Sequence, residues 1–156
     1  MDPAPPATPE QLAVHEQVID RWLAEQLAEN PTVAAVEKDT DDGERRWIAR
    51  VTGEEKATFS IWFHLRQRSL HVETYMMPAP EEHLAEVYEH LLRRNLKLRG
   101  FSFAIGAEDG IFLVGELPVD RIGDAELDRL FGSVYTYVEQ CFRPAMRIGF
   151  ASRFTD

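Results

Sequence analysis

Apolar residues fall at helical spacing from Leu12 onward: Leu12, Ile19, Leu23 and Leu27 line one face, and Val18 and Trp22 widen the stripe. Thr8 stands at an N-cap position, Pro9 suits the first helical residue, and Gln11 completes a capping box. Asn30-Pro31 stops the helix, because the residue before proline is pushed out of the helical region. The period then changes to two. A short strand is expected over 33–38, and the polar cluster 39–43 reads as a turn. Trp47, Ala49 and Val51 alternate with Arg46, Ile48 and Arg50 in a second strand, and 52–56 is another polar turn. Phe59, Ile61, Phe63 and Leu65 mark a third strand, and Leu70, Val72, Thr74 and Met76 a fourth.

The third and fourth strands are close enough for their register to be read. With 66–69 as the turn, Leu65 faces Leu70, Phe63 faces Val72 and Ile61 faces Thr74. A one-residue slip would set apolar side chains against polar ones. The same register brings His64 opposite His71 and Trp62 opposite Glu73, with Tyr75 on that second face. After Pro78 and Pro80 a helix is expected to run to about Leu98, with Leu84, Val87, Tyr88, Leu91 and Leu92 inward and Gly100 as its stop. A hairpin follows. A three-residue loop with Gly110 left-handed would pair Ile105 with Leu113 and Phe103 with Gly115, the glycine leaving room for the Phe103 ring. Phe112 and Val114 make these strands apolar on both sides, which predicts a central place in the sheet. A last helix starts at Gly123-Asp124 and carries Leu127, Leu130, Phe131, Val134, Val138 and Cys141 on one face. The order is α-β-β-β-β-α-β-β-α: an α+β fold, an antiparallel sheet flanked by helices. Residues 1–8, rich in Pro and Ala, are expected to be a mobile tail, and 9–156 a single domain.

Composition narrows the function classes. At 156 residues and 44% hydrophobic, the chain can bury one core, which excludes wholesale disorder. No run approaches the roughly 20 apolar residues of a membrane span, and the first residues lack a signal peptide's basic and apolar segments. A single cysteine allows no internal disulfide, so a cytoplasmic protein is expected. Net charge is −10, and residues 1–44 hold 11 acidic and 2 basic residues. Such a surface repels phosphate backbones and anionic membranes, so neither nucleic acid nor membrane is an expected partner. It also favours solubility by itself.

Chemistry is scarce along the chain. The P-loop, GxGxxG, GxSxG and HExxH patterns are all absent, and Cys141 sits on an apolar helix face where a thiol is inert. His64, His71 and Glu73 fall together on one sheet face. Two imidazoles and a strand carboxylate leave a metal's coordination incomplete, so neither metal nor cofactor is expected there. The aromatic residues are more informative. Trp62 and Tyr75 lie on the sheet face opposite the main apolar side, and Tyr135, Phe142, Ile148 and Phe150 exceed what one helix stripe needs. They make either a second buried face or a surface for another protein, where Trp, Tyr and Phe are enriched.

The stretches ETYMMPAPEE (73–82), LLRRNL (91–96), LVGELP (113–118) and VEQCFRPAMRIGF (138–150) resemble the YbjN-domain family of bacterial sensory-transduction regulators, in its actinobacterial branch. The similarity covers roughly residues 33–150. It implies a fold similar to that of type III secretion chaperones, often dimeric, in agreement with the element order above. The family brings no catalytic residues with it, and fold alone does not assign function.

The expectation is therefore a non-enzymatic, cytoplasmic protein-binding module, a chaperone-like or regulatory adaptor acting on an unidentified protein partner. Candidate partner-binding residues are Trp62, His64, His71 and Tyr75, with acidic residues steering basic partners. A homodimer is expected through Tyr135, Phe142, Ile148 or Phe150. The alternative is a small-molecule-binding α+β domain with a pocket under the C-terminal helix.

Overall fold

The computed structural model describes residues 4–154. Helix α1 (Pro9–Glu29) begins as its capping box requires: Gln11 N–H donates to Thr8 Oγ1 at 3.2 Å, and Thr8 N–H donates back to Gln11 Oε1 at 2.9 Å. Strands β1 (Val33–Asp39), β2 (Arg45–Thr52), β3 (Thr58–Leu65) and β4 (Ser69–Met77) form an antiparallel meander. Helix α2 (Leu84–Asn95), strands β5 (Phe101–Ile105) and β6 (Ile111–Pro118), and helix α3 (Asp124–Gly149) complete the chain. The six strands lie in the order β1-β2-β3-β4-β6-β5. The expected α+β class and element order hold, and so does the β3–β4 register, with Leu65 opposite Leu70 and His64 opposite His71.

All three helices pack on one side of the sheet. Trp22 of α1 sets its ring edge against Phe63 of β3 at 6.1 Å and Phe131 of α3 at 6.2 Å. Its indole N–H, which burial would otherwise strand, donates to Asp128 at 2.8 Å. Trp47 of β2 solves the same problem by donating to Asp20 of α1 at 2.8 Å. Leu127, Leu130, Val134, Val138, Cys141 and Ala145 of α3 are fully buried against the sheet. Thr74 is buried among them, its hydroxyl donating to the Ser60 carbonyl at 2.6 Å.

Several expectations are corrected. Residues 4–8 of the expected mobile tail are docked: Ala7 N–H donates to the Gln67 carbonyl at 2.8 Å, and Arg68 donates to the Ala4 carbonyl at 3.0 Å. Both alanines are buried, and that contact offsets the cost of ordering the segment; residues 1–3 lie outside the described residues. Helix α2 starts at Leu84, not directly after Pro80, because His83 takes a left-handed φ of 50° that breaks the helical run; the N–H groups of Glu81 and Glu82 are both held by the Gly149 carbonyl at 2.9 Å. On it Val87 and Leu91 point inward as expected, but Leu84 and Leu92 face solvent.

The β5–β6 hairpin is shifted by two residues from the expected pairing. Gly106 N–H closes on the Gly110 carbonyl at 2.9 Å, so Ile105 faces Ile111, Phe103 faces Leu113 and Phe101 faces Gly115. Gly110 is extended; the left-handed residues are Glu108 and Asp109. A Cβ on Gly115 would lie 2.6 Å from the Phe101 ring, so the glycine accommodates Phe101 rather than Phe103. Nor are both strands central: β6 is interior, but β5 is an edge. Phe101 and Phe103 are buried with α2 beside them instead of a further strand, while Ile105 at the end of β5 stays exposed.

Candidate functional site

The sheet face opposite the helices has no element over it among the described residues. Three cross-strand rows compose it. Ile48, Trp62, Glu73 and Val114 form the middle row, Arg46, His64, His71 and Glu116 flank it on one side, and Tyr75, Phe112 and Ala104 stand on the other. Trp62 is 39% exposed and Tyr75 43%, values that distinguish this face from the fully buried Phe63 behind it. Tyr75 leans edge-on against Phe112 at 5.4 Å.

Trp62 stands as a ridge between two hollows. One, of about 560 Å³, runs from Arg50 and Lys56 to Tyr75. The other, of about 380 Å³, lies among Arg46, His64, Arg66, His71 and Glu73. The polar groups around the second are largely matched. His64 Nε2 meets Glu44 Oε2 at 2.6 Å, and its Nδ1 accepts from Arg66 Nε at 3.3 Å, so the proton belongs on Nε2 and is donated to Glu44. That hydrogen bond holds the Glu44 carboxyl below its ordinary range. His71 lies 3.5 Å from Glu73, Arg46 3.5 Å from Asp39, and Arg50 3.5 Å from Glu37. The two histidines are adjacent as expected, yet each is turned to its own carboxylate. No three His, Cys, Asp or Glu side chains converge on one point among the described residues.

Lys56 differs from its cationic neighbours. Its ammonium sits 4.6 Å over the Phe142 ring and 6.0 Å over the Tyr75 ring, with no carboxylate paired to it among the described residues. Burial lowers its pKa from the usual lysine value. The turn carrying it is held by Glu139 of α3, whose carboxylate accepts the N–H groups of Glu54, of Glu55 at 2.8 Å and of Lys56 at 3.2 Å. Sequence reasoning missed Lys56, Glu139, Glu44 and Arg66. Each is a turn residue, or acts on one across more than 19 positions, so no local period signals it.

The residues expected at a dimer interface are dispersed. Tyr135 packs on Phe59 at 6.3 Å and Phe142 underlies Lys56, both half-buried. Ile148 is half-buried against the core. Phe150 is corrected: at 4% exposure its ring belongs to the core and has nothing left to offer a second copy. Where the alternative reading would set a small-molecule pocket, beneath the C-terminal helix, α3 buries Leu127, Leu130, Val134, Val138, Cys141 and Ala145 against the sheet.

The sequence profile of YbjN, described as a putative bacterial sensory transduction regulator, matches residues 17–145. The chain belongs to the YbjN family. Uncharacterized proteins of Mycobacterium tuberculosis and Mycobacterium bovis are each 30% identical to it over 105 residues, 67% of this chain and 57% of theirs. One from Mycobacterium leprae is 31% identical over 111 residues, 71% of this chain and 60% of its own. This YbjN chain thus spans well under two thirds of the length of the curated relatives it matches. Among solved structures, the Yersinia pestis type III secretion chaperone SycH, crystallised with a stable fragment of YscM2, superposes with a TM-score of 0.53 at 15% identity. That likeness covers 81% of this chain and 98% of SycH, so the two share a fold. No helix among the described residues is long and apolar enough to cross a membrane.

Proposed function

We propose that this YbjN chain is a non-enzymatic, cytoplasmic protein-binding module, a chaperone-like or regulatory adaptor that works as a homodimer of single-domain subunits. One observation carries the reading: an entire sheet face lies uncovered, with Trp62 and Tyr75 exposed beside hollows on either side of Trp62. A face meant only for solvent is covered by charged side chains, and large aromatics are concentrated where proteins meet proteins. The regulator description of the family and the fold shared with a secretion chaperone are consistent with it. Against catalysis, the shortest His–carboxylate pair among the described residues, His64 with Glu44, has its remaining ring nitrogen engaged by Arg66.

The anchors are Trp62 and Tyr75, with His64 and His71 as flanking polar contacts. Affinity capture from native lysate with the wild-type chain, with Trp62→Ala and with Tyr75→Ala tests the reading. Specific proteins should be retained by wild type and lost from both variants while each variant keeps its fold. Equal recovery on all three baits would remove the open face from consideration.

A further inference from the structure

The two hollows beside Trp62 do not share the charge of the chain. Four cations line them, Arg50 and Lys56 in the larger and Arg46 and Arg66 in the smaller, against one carboxylate, Glu73, which lies 3.5 Å from His71. Glu44, close by, is already taken by His64. The chain as a whole carries −10. Part of that excess belongs to α1, with five acidic residues and one basic, and α1 packs on the other side of the sheet. Arg46 and Arg50 stand four residues apart on β2, on either side of Ile48, whose cross-strand neighbour is Trp62. Each faces a carboxylate of β1, Asp39 or Glu37, at 3.5 Å, and no hydrogen bond closes either pair among the described residues. Loose, partly exposed pairs of this kind contribute little and leave the guanidinium available to a better-aligned acceptor.

Charge and spacing together decide the occupant. Residues four apart on a strand are separated by about 13 Å, and an extended segment laid over the face has the same rise and turns every second side chain toward it. We infer that the open face takes an extended acidic segment of the partner protein, in which two carboxylates four residues apart flank an apolar side chain. One carboxylate enters each hollow, and the apolar residue rests on Trp62. The first meets Arg50 with Lys56 beside it, and the second meets Arg46 with Arg66 beside it. A guanidinium offers a carboxylate two parallel N–H donors, and covering the face removes the water that weakens such bonds. The same covering completes the burial of the Trp62 indole. A helical occupant would need its carboxylates about nine residues apart to span the same distance. This inference rests on the open-face reading above and reverses the sign of partner expected from the net charge.

The test is selection from a displayed library of random dodecapeptides on the full chain, with counter-selection on Trp62→Ala. Trp62-dependent peptides should share two Asp or Glu residues four apart with an apolar residue midway. Replacing either acid by Gln in a selected peptide should weaken binding at least about tenfold in a fluorescence titration. On Arg50→Gln one of these two replacements should lose its effect, and on Arg46→Gln the other, a pairing that a merely structural role of the arginines would not produce. The replacements made in the peptide need no variant of the chain, so they decide the matter even if an arginine variant is less stable. Trp62-dependent peptides that lack acids, carry bases in their place or space their acids as a helix would overturn this inference and leave the open-face reading standing. A selection that yields no Trp62-dependent peptide would overturn both.

Discussion

Glu139 and Lys56 are 83 residues apart, yet the Glu139 carboxylate accepts the Lys56 backbone N–H at 3.2 Å and so ties the β2–β3 turn to α3. The same carboxylate takes the preceding two N–H groups, filling with the protein's own side chain a concavity that would otherwise hold an anion. Because this turn supplies Lys56 to the larger hollow, a helix on the covered side of the sheet shapes the proposed binding surface on the open side. Glu139→Ala should cost about 1–2 kcal/mol, reduced by exposure of the turn, and should speed hydrogen exchange of the amides of residues 54–56. Urea denaturation and exchange measured by NMR check the two parts separately.

Glu44 and Lys56, at the open face, respond to pH in opposite senses. Glu44 has its folded pKa lowered, chiefly by the His64 hydrogen bond, so its stabilising contribution is present above the unfolded value near 4.5 and is lost as pH falls through the folded value. The stability difference between wild type and Glu44→Gln should therefore be seen at neutral pH and vanish in acid. Lys56 has its folded pKa lowered by burial, which penalises the charged form below that value; the penalty disappears as pH rises past 10.5. Lys56→Met should accordingly stabilise the chain at neutral pH and lose that advantage in alkali. Denaturation midpoints at three pH values per variant measure both.

The hairpins show why part of the fold was legible and part was not. In β3–β4 the alternation Phe63, His64, Leu65 against Leu70, His71, Val72 rejects any one-residue slip, and a four-residue turn leaves no other choice. In β5–β6 a shift of two residues keeps every apolar side chain on the same face, so alternation cannot choose between Leu113 and Ile111 as the partner of Ile105. The loop chooses, through Glu108 and Asp109 both in the left-handed region, which Asp visits readily but Glu rarely does. The site divides similarly. Trp62, His64, His71 and Tyr75 share a face because period two places them there, whereas Lys56, Glu139 and Arg66 arrive by tertiary contact. Leu84 and Leu92 were misplaced for a third reason: α2 carries two apolar stripes, and helical spacing alone does not tell the buried one from the exposed one.

Gly115 tests the corrected register directly. A methyl group there would meet the Gly100 carbonyl oxygen, which no side-chain change relieves, and the Phe101 ring at 2.6 Å, a ring nearly buried between the sheet edge and Tyr137. Gly115→Ala should cost about 1–3 kcal/mol through overpacking, and Phe101→Leu in the same chain should recover part of the loss. If Phe103→Leu were the substitution that rescued, the hairpin would be paired two residues away from the observed register.

The last prediction separates the two faces of β3 using adjacent residues. Phe63 has no exposed surface and meets Trp22 edge-on at 6.1 Å, so truncation leaves a cavity at the junction of α1, α3 and the sheet. Phe63→Ala should cost about 3–5 kcal/mol. Trp62, one residue earlier, is 39% exposed on the uncovered face and lines both hollows there. Its replacement by alanine loses partial contacts with its sheet neighbours and should cost no more than about 1 kcal/mol. Binding should show the reverse order, because a half-exposed indole contributes most when a partner completes its burial. Thermal unfolding and partner capture on the same two variants give the comparison. An unfolding midpoint for Trp62→Ala as low as that of Phe63→Ala would mean that the second face is also packed in solution, and the partner surface would then have to lie on the helices.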